Sequence, residues 1–429
     1  MFGRCLLAFA VALLASGCTP ASPVATPSAS TPALASGSSP PSPDGIAGTR
    51  VSIRPPPGDS SFLLRATYPR VRSKCVHTGR ATLLARYPGA LSVRADDDGR
   101  LTITVTLPFE RYLEGIAEVP PSWPAAALDA QVIAARSYAL ARIGWTGQQG
   151  ETLQTPICAT SDCQVYGGIP VPPTPGIRRW YAAVQRTSGQ VLLDGDRPAD
   201  TVYFSTSNGH TYGNEEVFGS SPLPYLRPVV ERDDGASPTS RWHVTMPLRD
   251  LATFLRAGEI WPKATPISSV ARAGATVRIA GSGTRRTVDA GEFRDVVNAW
   301  ASCLMPGRYP AGGLPTTVPS DWYDVTSGPY DARITGRGWG HGVGMVQWGA
   351  YGKARHGWSA ARILGFYYGG LEPTAYPEPG LIHVVVASGL RSFTVKPSAA
   401  GARIGDEVLD RGVLRVTGGD LVTVRSRAG

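Results

Sequence analysis

Nowhere in this chain do lysine and arginine cluster or interleave with aromatic residues, so the usual nucleic-acid footprint is missing. Its histidines, at 77, 210, 243, 341, 356 and 383, show none of the close spacings that zinc hydrolases use. No Gly-x-Ser-x-Gly elbow marks a serine hydrolase, and Gly352-Lys353-Ala354 lacks the upstream phosphate cradle and the hydroxyl residue of a nucleotide-binding loop. No repeat of fixed period suggests a solenoid. The apolar run from Cys5 to Leu14 is far shorter than the roughly 20 residues a membrane-spanning helix needs. These absences exclude nucleic-acid binding and give no support to a metal or a cofactor; we expect neither.

What is present starts with a leader. Arg4, the apolar run and Ala15-Ser16-Gly17-Cys18 have the layout of a bacterial secretory signal ending in a lipid-attachment cysteine, so residues 1–18 read as a signal with Cys18 as the lipidation site. Residues 19–46 are almost wholly Pro, Ser, Thr and Ala, too apolar-poor to offset chain entropy, and read as a tether. The expectation is an extracytoplasmic domain anchored to the membrane by lipid and able to reach the cell wall. The net charge of +9, or +8 without Arg4, is spread along the chain and fits attraction to anionic surface polymers as well as simple solubility.

With Cys5 removed and Cys18 lipidated, Cys75, Cys158, Cys163 and Cys303 remain, an even number that suits an oxidising compartment but allows three pairings. Closeness in sequence favours Cys158 with Cys163, leaving Cys75 for Cys303. Chain entropy makes the short loop worth roughly 2 kcal/mol and the long one about 5.

Residues 47–107 alternate apolar and polar side chains, as in Ala81-Thr-Leu-Leu-Ala-Arg86 and Leu101-Thr-Ile-Thr-Val-Thr-Leu107, between Pro-Gly and Asp-Asp-Asp-Gly turns, and predict strands. Ser122-Trp-Pro124 opens a predicted helix, with Ser122 as its hydroxyl cap and Leu128, Val132, Ala135 and Tyr138 on one face. Strands return over 184–213, with a turn at Asn208-Gly209. Helices are predicted at 248–257, 291–305, 346–354 and 359–367, and residues 380–429 read as a small β-rich module. The fold class is α+β, with antiparallel strands and helices around a groove in a main region of residues 108–372.

Glycine occupies 336, 338, 340, 342 and 344 at strict period two. An extended run would carry Arg337, Trp339, His341, Val343 and Met345 on one face and nothing on the other, a bare surface suited to close approach by a backbone or a ligand. A second singular feature is Glu118, set between Ala117 and Val119 just before the predicted helix. Apolar surroundings disfavour the ionised form and raise the pKa toward the roughly 6 to 7 that a general acid needs near neutrality. Glu110 and Glu114, one turn apart, are its nearest rivals.

The stretch from Tyr112 to Tyr138 resembles the opening signature of the SpoIID/LytB family, and Gly336 to Ala350 with Ile363-Leu-Gly-Phe-Tyr-Tyr-Gly-Gly370 resembles its closing signature. Asp162-Cys-Gln-Val-Tyr-Gly167, Thr187 to Leu192, Ser205 to Thr211 and Pro224 to Arg227 agree in order. The resemblance covers roughly residues 100–370. It implies an extracytoplasmic protein acting on peptidoglycan, either as a lytic transglycosylase or as an enhancer of a wall amidase. In the transglycosylases the essential acid is the glutamate of the opening signature, which falls on Glu118. Some relatives hold zinc near the Cys158–Cys163 region; here Asp162 stands where a histidine would help, which favours a disulfide.

The implied reaction splits the bond between N-acetylmuramic acid and N-acetylglucosamine and leaves 1,6-anhydro ends. Because the attacking hydroxyl belongs to the sugar itself, one carboxyl suffices. His341 and Gln347 are candidate sugar-binding residues beside the glycine run, as are Ser205, Ser207, Asn208 and Tyr212 on the strand and turn, with Trp339 and Trp348 as stacking candidates. Arg136, on the predicted helix, is a further substrate-binding candidate and is expected to pair with a carboxylate; pairing with Glu118 would lower that pKa, which argues against direct contact in the active form. The expected partners are peptidoglycan glycan strands and a wall amidase.

Overall fold

The period-two pattern produces strands that bury one face. Along Leu101–Pro108, Leu101, Ile103, Val105 and Leu107 are inaccessible to solvent while the threonines between them are half-exposed. This strand pairs antiparallel with Ala90–Ala95 on one side and with Leu381–Leu390 on the other. The computed structural model describes residues 46–427 apart from 57–60, 68–81, 117, 149–154, 171–173, 263–264, 311–316 and 410–411. The signal, Cys18, the tether and Cys75 lie outside the described residues.

Among the described residues the first and last parts of the chain share two sheets. One runs, in spatial order, 46–48, 422–427, 413–417, 392–397, 61–67, 82–88; the other runs 407–409, 402–404, 50–54, 90–95, 101–108, 381–390, 157–158. The C-terminal strands are therefore not a separate module. The 381–390 strand buries Ile382, Val384 and Leu390 completely. On its own a fifty-residue C-terminal piece would leave that face wet and the strand's edges unpaired; residues 101–108 and 157–158 supply its two partners.

The helices are α1 (Phe109–Glu114), α2 (Ala125–Arg142), α3 (Ile177–Arg186), α4 (Asn214–Phe218), α5 (Leu248–Ala257), α6 (Ala290–Leu304), α7 (Gln347–Arg355) and α8 (Ala360–Tyr367). The last four fall within a residue or two of their sequence-based bounds. α2 is buried on nearly all sides from Ala127 to Leu140 and packs on α3, α7 and α8. Its alanines let neighbours approach closely, and the pattern is that of a central helix, not a surface one. Ser122 does not cap it. The helix begins directly after Pro124, whose ring presets φ at −55°, with no side-chain cap, and the Ser122 carbonyl instead accepts a hydrogen bond from Arg179.

Residues 242–336 form a second lobe that the sequence reading folded into one region. Strands 242–247, 331–336 and 323–327 make one antiparallel sheet, and 269–273, 276–281 and 284–289 make another. These with α5 and α6 close a hydrophobic core of their own, around Trp242, Met246, Phe254, Ile279, Phe293 and Ile334. The architecture is α+β, as expected.

Candidate functional site

Glu118 lies in the loop that joins α1 to α2. Both ends of that loop are braced: Gly115 N–H donates to Tyr112 O and Ile116 N–H to Leu113 O at the exit of α1, and Trp123 N–H donates to Pro120 O before α2. α3, which the sequence reading did not single out, clamps it from outside. Arg179 donates to the carbonyls of Ser122 and Trp123, and the Trp180 indole donates to Leu113 O at 3.0 Å.

The carboxyl is half-buried and its two oxygens differ. Oε1 accepts the Val165 N–H at 2.8 Å, whereas Oε2 is buried with no hydrogen-bond partner. Burial pushes the Glu118 pKa above the usual carboxylate range, opposed by the nearby Tyr203 hydroxyl and by the Val165 N–H. Val165 lies two residues beyond a loop stapled by a Cys158–Cys163 disulfide. Cys303 is also disulfide-bonded, while Cys75 lies outside the described residues.

The glycine run is near Glu118 but is not an extended strand. Gly338, Gly340, Gly342 and Gly344 all have positive φ, at 72°, 112°, 88° and 75°, so every second residue turns left and the run zigzags. The expectation of close approach holds, and the approaching body is the protein itself. A Cβ on Gly344 would sit 2.0 Å from Val202 O, and one on Gly338 would sit 2.6 Å from Thr206 O. The ribbon hydrogen-bonds to segment 202–212 through Thr206 with Trp339, Tyr212 with Gly342, and the parallel pair Tyr203–Phe204 with Met345–Val346. That segment carries Tyr203, whose hydroxyl donates to Gln164 Oε1 at 2.9 Å, next to the Val165 whose N–H holds Glu118.

His341 sits at this junction with both ring nitrogens engaged. Nε2 donates to Tyr203 O at 3.0 Å and Nδ1 accepts the Val343 N–H at 3.1 Å, which assigns the neutral tautomer. Burial lowers its pKa to about 4. His341 is therefore a brace and not the free sugar ligand expected of it. Gln347, also nearly buried, reaches Gln131 at a long 3.4 Å.

Arg136 is completely buried and does not pair with Glu118. It lies 2.9 Å from Glu110 and 2.6 Å from Glu378 and donates to Thr187 Oγ1 and Val184 O, tying α2 to the 372–380 segment. Burial raises the Glu378 pKa to about 7, with Arg136 opposing and Glu110 reinforcing the rise. Glu110 is spent here, and Glu114 pairs with Arg111 at 2.7 Å, so neither rivals Glu118.

Ser207 is buried, and its hydroxyl and N–H both donate to Asp234 Oδ2. Asn208 Nδ2 donates to the Tyr212 hydroxyl at 2.7 Å, and the Tyr212 ring stacks on Trp322 at 5.6 Å. Ser205 is half-buried, and its carbonyl accepts the Trp348 N–H. Trp348 is half-buried too, in an aromatic cluster with Trp123 and Tyr351 at 4.9 and 5.3 Å. Ser205 and Trp348 stay accessible beside the Glu118 loop, whereas Ser207 and Arg136 do not. Sequence reasoning missed Gln164, whose only signal was its place inside the quoted Asp162–Gly167 piece, and Tyr203, which lies just before the Ser205–Thr211 piece.

The loop, the disulfide-stapled segment and the ribbon are the parts of the chain that carry the opening, intermediate and closing signatures. The family model described as stage II sporulation protein, SpoIID, matches residues 97–193, which include Glu118, α2 and the stapled loop. The chain is 28% identical over 300 residues to an amidase enhancer of Bacillus subtilis, covering 60% of this chain and 39% of that protein. It is 29% identical over 294 residues to an uncharacterized protein of Brachyspira hyodysenteriae, covering 68% of this chain and 73% of that one. A stage II sporulation protein D of Bacillus amyloliquefaciens is 28% identical over 282 residues, with 62% and 74% covered. Family model and relatives together support the SpoIID/LytB family, as the two signatures implied.

Proposed function

We propose that the protein is a peptidoglycan lytic transglycosylase with Glu118 as its general acid and base. The observation that supports this reading is the split environment of that carboxyl: one oxygen fixed by a backbone N–H, the other buried and unpartnered, with burial favouring the protonated form. The acid's O–H bond breaks as its proton passes to the glycosidic oxygen and the bond to the muramyl carbon-one breaks. The carbon-six hydroxyl of the same sugar then bonds to carbon one and returns its proton to the Glu118 carboxylate, closing a 1,6-anhydro ring. No second carboxyl is needed because the nucleophile is held within the substrate.

A cell-wall role implies an extracytoplasmic protein, and a lipid on Cys18 with the tether of residues 19–46 would keep it within reach of the wall. A second reading is favoured by the relative named amidase enhancer: a glycan-binding protein that stimulates a wall amidase without cutting glycan itself. Incubation of the purified protein with peptide-stripped glycan strands, followed by mass spectrometry, separates the two. Anhydro ends that vanish in Glu118→Gln support the enzyme. Anhydro ends that persist in Glu118→Gln defeat the Glu118 assignment, and amidase stimulation without any anhydro product favours the enhancer.

A further inference from the structure

One sheet of the second lobe is open along one side. Its strands lie in the order 242–247, 331–336, 323–327, and among the described residues no further strand pairs with the outer edge of 242–247. The register says which groups face out. Leu248 N–H donates to Tyr330 O, one step beyond the Pro247–Asp331 pair, so residues 242, 244 and 246 exchange hydrogen bonds with 331–336. The N–H and C=O groups of His243 and Thr245 therefore point away from the sheet. Such a row is a ready template for another strand.

A hollow of about 420 Å³ lies along this edge, lined by His243, Thr245 and Pro247 of the strand together with Arg249, Arg308 and Tyr309. The same two arginines line a neighbouring hollow of about 590 Å³ with Thr253 and Met305. Both volumes suit a short segment of chain. Beneath the arginines Asp250 is buried; its Oδ2 takes Arg308 and the Tyr309 hydroxyl, and its Oδ1 lies 3.6 Å from Arg249. One carboxylate thus serves two exposed guanidiniums, and a positive charge is left over at the hollow.

We propose that the outer edge of 242–247 is a docking site for an extended acidic peptide segment of a partner protein. The segment adds as a further antiparallel strand, as both existing pairings of this sheet are, and sets its carboxylates against Arg249 and Arg308 at the Pro247 end. Main-chain pairing with His243 and Thr245 supplies affinity for any strand, and the guanidiniums select one that carries carboxylates. A sugar polymer has no such row of amides to offer. The site depends on neither reading of the Glu118 centre.

Fluorescence anisotropy of a labelled Glu-Glu-Thr-Val-Thr-Val-Thr peptide with the full-length protein tests this, with a Kd on the order of 100 μM or tighter expected. Only every second amide of a docked strand faces the protein. Of two peptides N-methylated at alternate residues, one is therefore expected to bind as the parent does and the other about tenfold or more weakly. Thr245→Pro removes an outward N–H while sparing the ladder with 331–336, and a similar loss is expected. Arg249→Gln, or glutamines in place of the peptide's glutamates, is expected to weaken binding about fivefold and to remove most of its salt dependence. Absence of saturable binding, equal affinity of the two N-methylated peptides, or equal affinity of the glutamine peptide overturns the proposal. Displacement of the peptide by a muramyl disaccharide-tetrapeptide also overturns it, since the hollow then belongs to the wall and not to a partner. No glycan is cut in this assay, so anhydro-end release from the same preparations reads the proposed function separately.

Discussion

Glu118 and His341 are both ionisable, both held near Tyr203, and both displaced by the same force in opposite directions. Burial penalises charge, so it raises the carboxyl of Glu118 and lowers the imidazole of His341 to about 4; in each case the neutral form is favoured. What separates them is satisfaction of their polar atoms. Both His341 nitrogens are hydrogen-bonded to backbone, while Glu118 retains one oxygen without a partner. A perturbed group with every atom engaged is a structural member. One with a spare atom is the place to look for chemistry.

The comparison breaks most clearly in activity. Glu118→Gln keeps an acceptor for Val165 N–H and should lower glycan cleavage by roughly 10²- to 10⁴-fold, the usual worth of a positioned acid or base, as measured by release of anhydro ends. His341→Gln should cost less than tenfold in the same assay. An equal loss in both would erase the distinction drawn here.

Gly344→Ala tests the ribbon without touching Glu118. A Cβ 2.0 Å from Val202 O at φ 75° forces the ribbon off segment 202–212, and a loss of about 3 kcal/mol or more is expected in urea unfolding. The pH dependence of stability then sharpens the contrast in sign. Between pH about 4 and 6.5 the unfolded chain binds a proton at His341 that the native state refuses, so the His341 contribution falls as the solution is acidified through this window. The whole effect amounts to about 3 kcal/mol at most, and His341→Gln should flatten the acid limb.

Glu118 has the reverse slope. Its folded pKa is raised, so its contribution is full below the unfolded value near 4.3 and is lost as pH rises through the folded one. Glu118→Gln should therefore be more stable than the parent at neutral pH, by on the order of 1 kcal/mol, with the gain vanishing near pH 4. A paired Cys158→Ser and Cys163→Ser variant should lose roughly 2 kcal/mol. Since Gln164 and Val165 follow that staple directly, cleavage should weaken several-fold with it.

Short-range physics made much of this legible in advance. α5 follows from its 3.6-residue apolar pattern and the 101–108 strand from its alternation; α8 was expected at 359–367, and the structure adds its cap, the Ser359 hydroxyl accepting the Arg362 N–H. Glu118 stood out because its neighbours in sequence are apolar, and Val119 is indeed buried. The glycine run declared a tight approach but not its shape, because glycine permits both an extended chain and the left-turning zigzag found here, and contact with Thr206 and Val202 selects between them.

Local pattern thus determined where helices and strands form, which residue types stand in the opening and closing signatures, and that one carboxyl sits in apolar company. Only the tertiary structure decided that residues 381–427 complete the N-terminal sheets, that 242–336 close a core of their own, and that Arg136 spends itself on Glu110 and Glu378. It alone brought Gln164, Tyr203 and Glu118 together. The reason is range: propensity and periodicity act over a few residues, whereas ion pairing, hydrogen-bond polarity and the dielectric around a carboxyl depend on groups tens to hundreds of positions away.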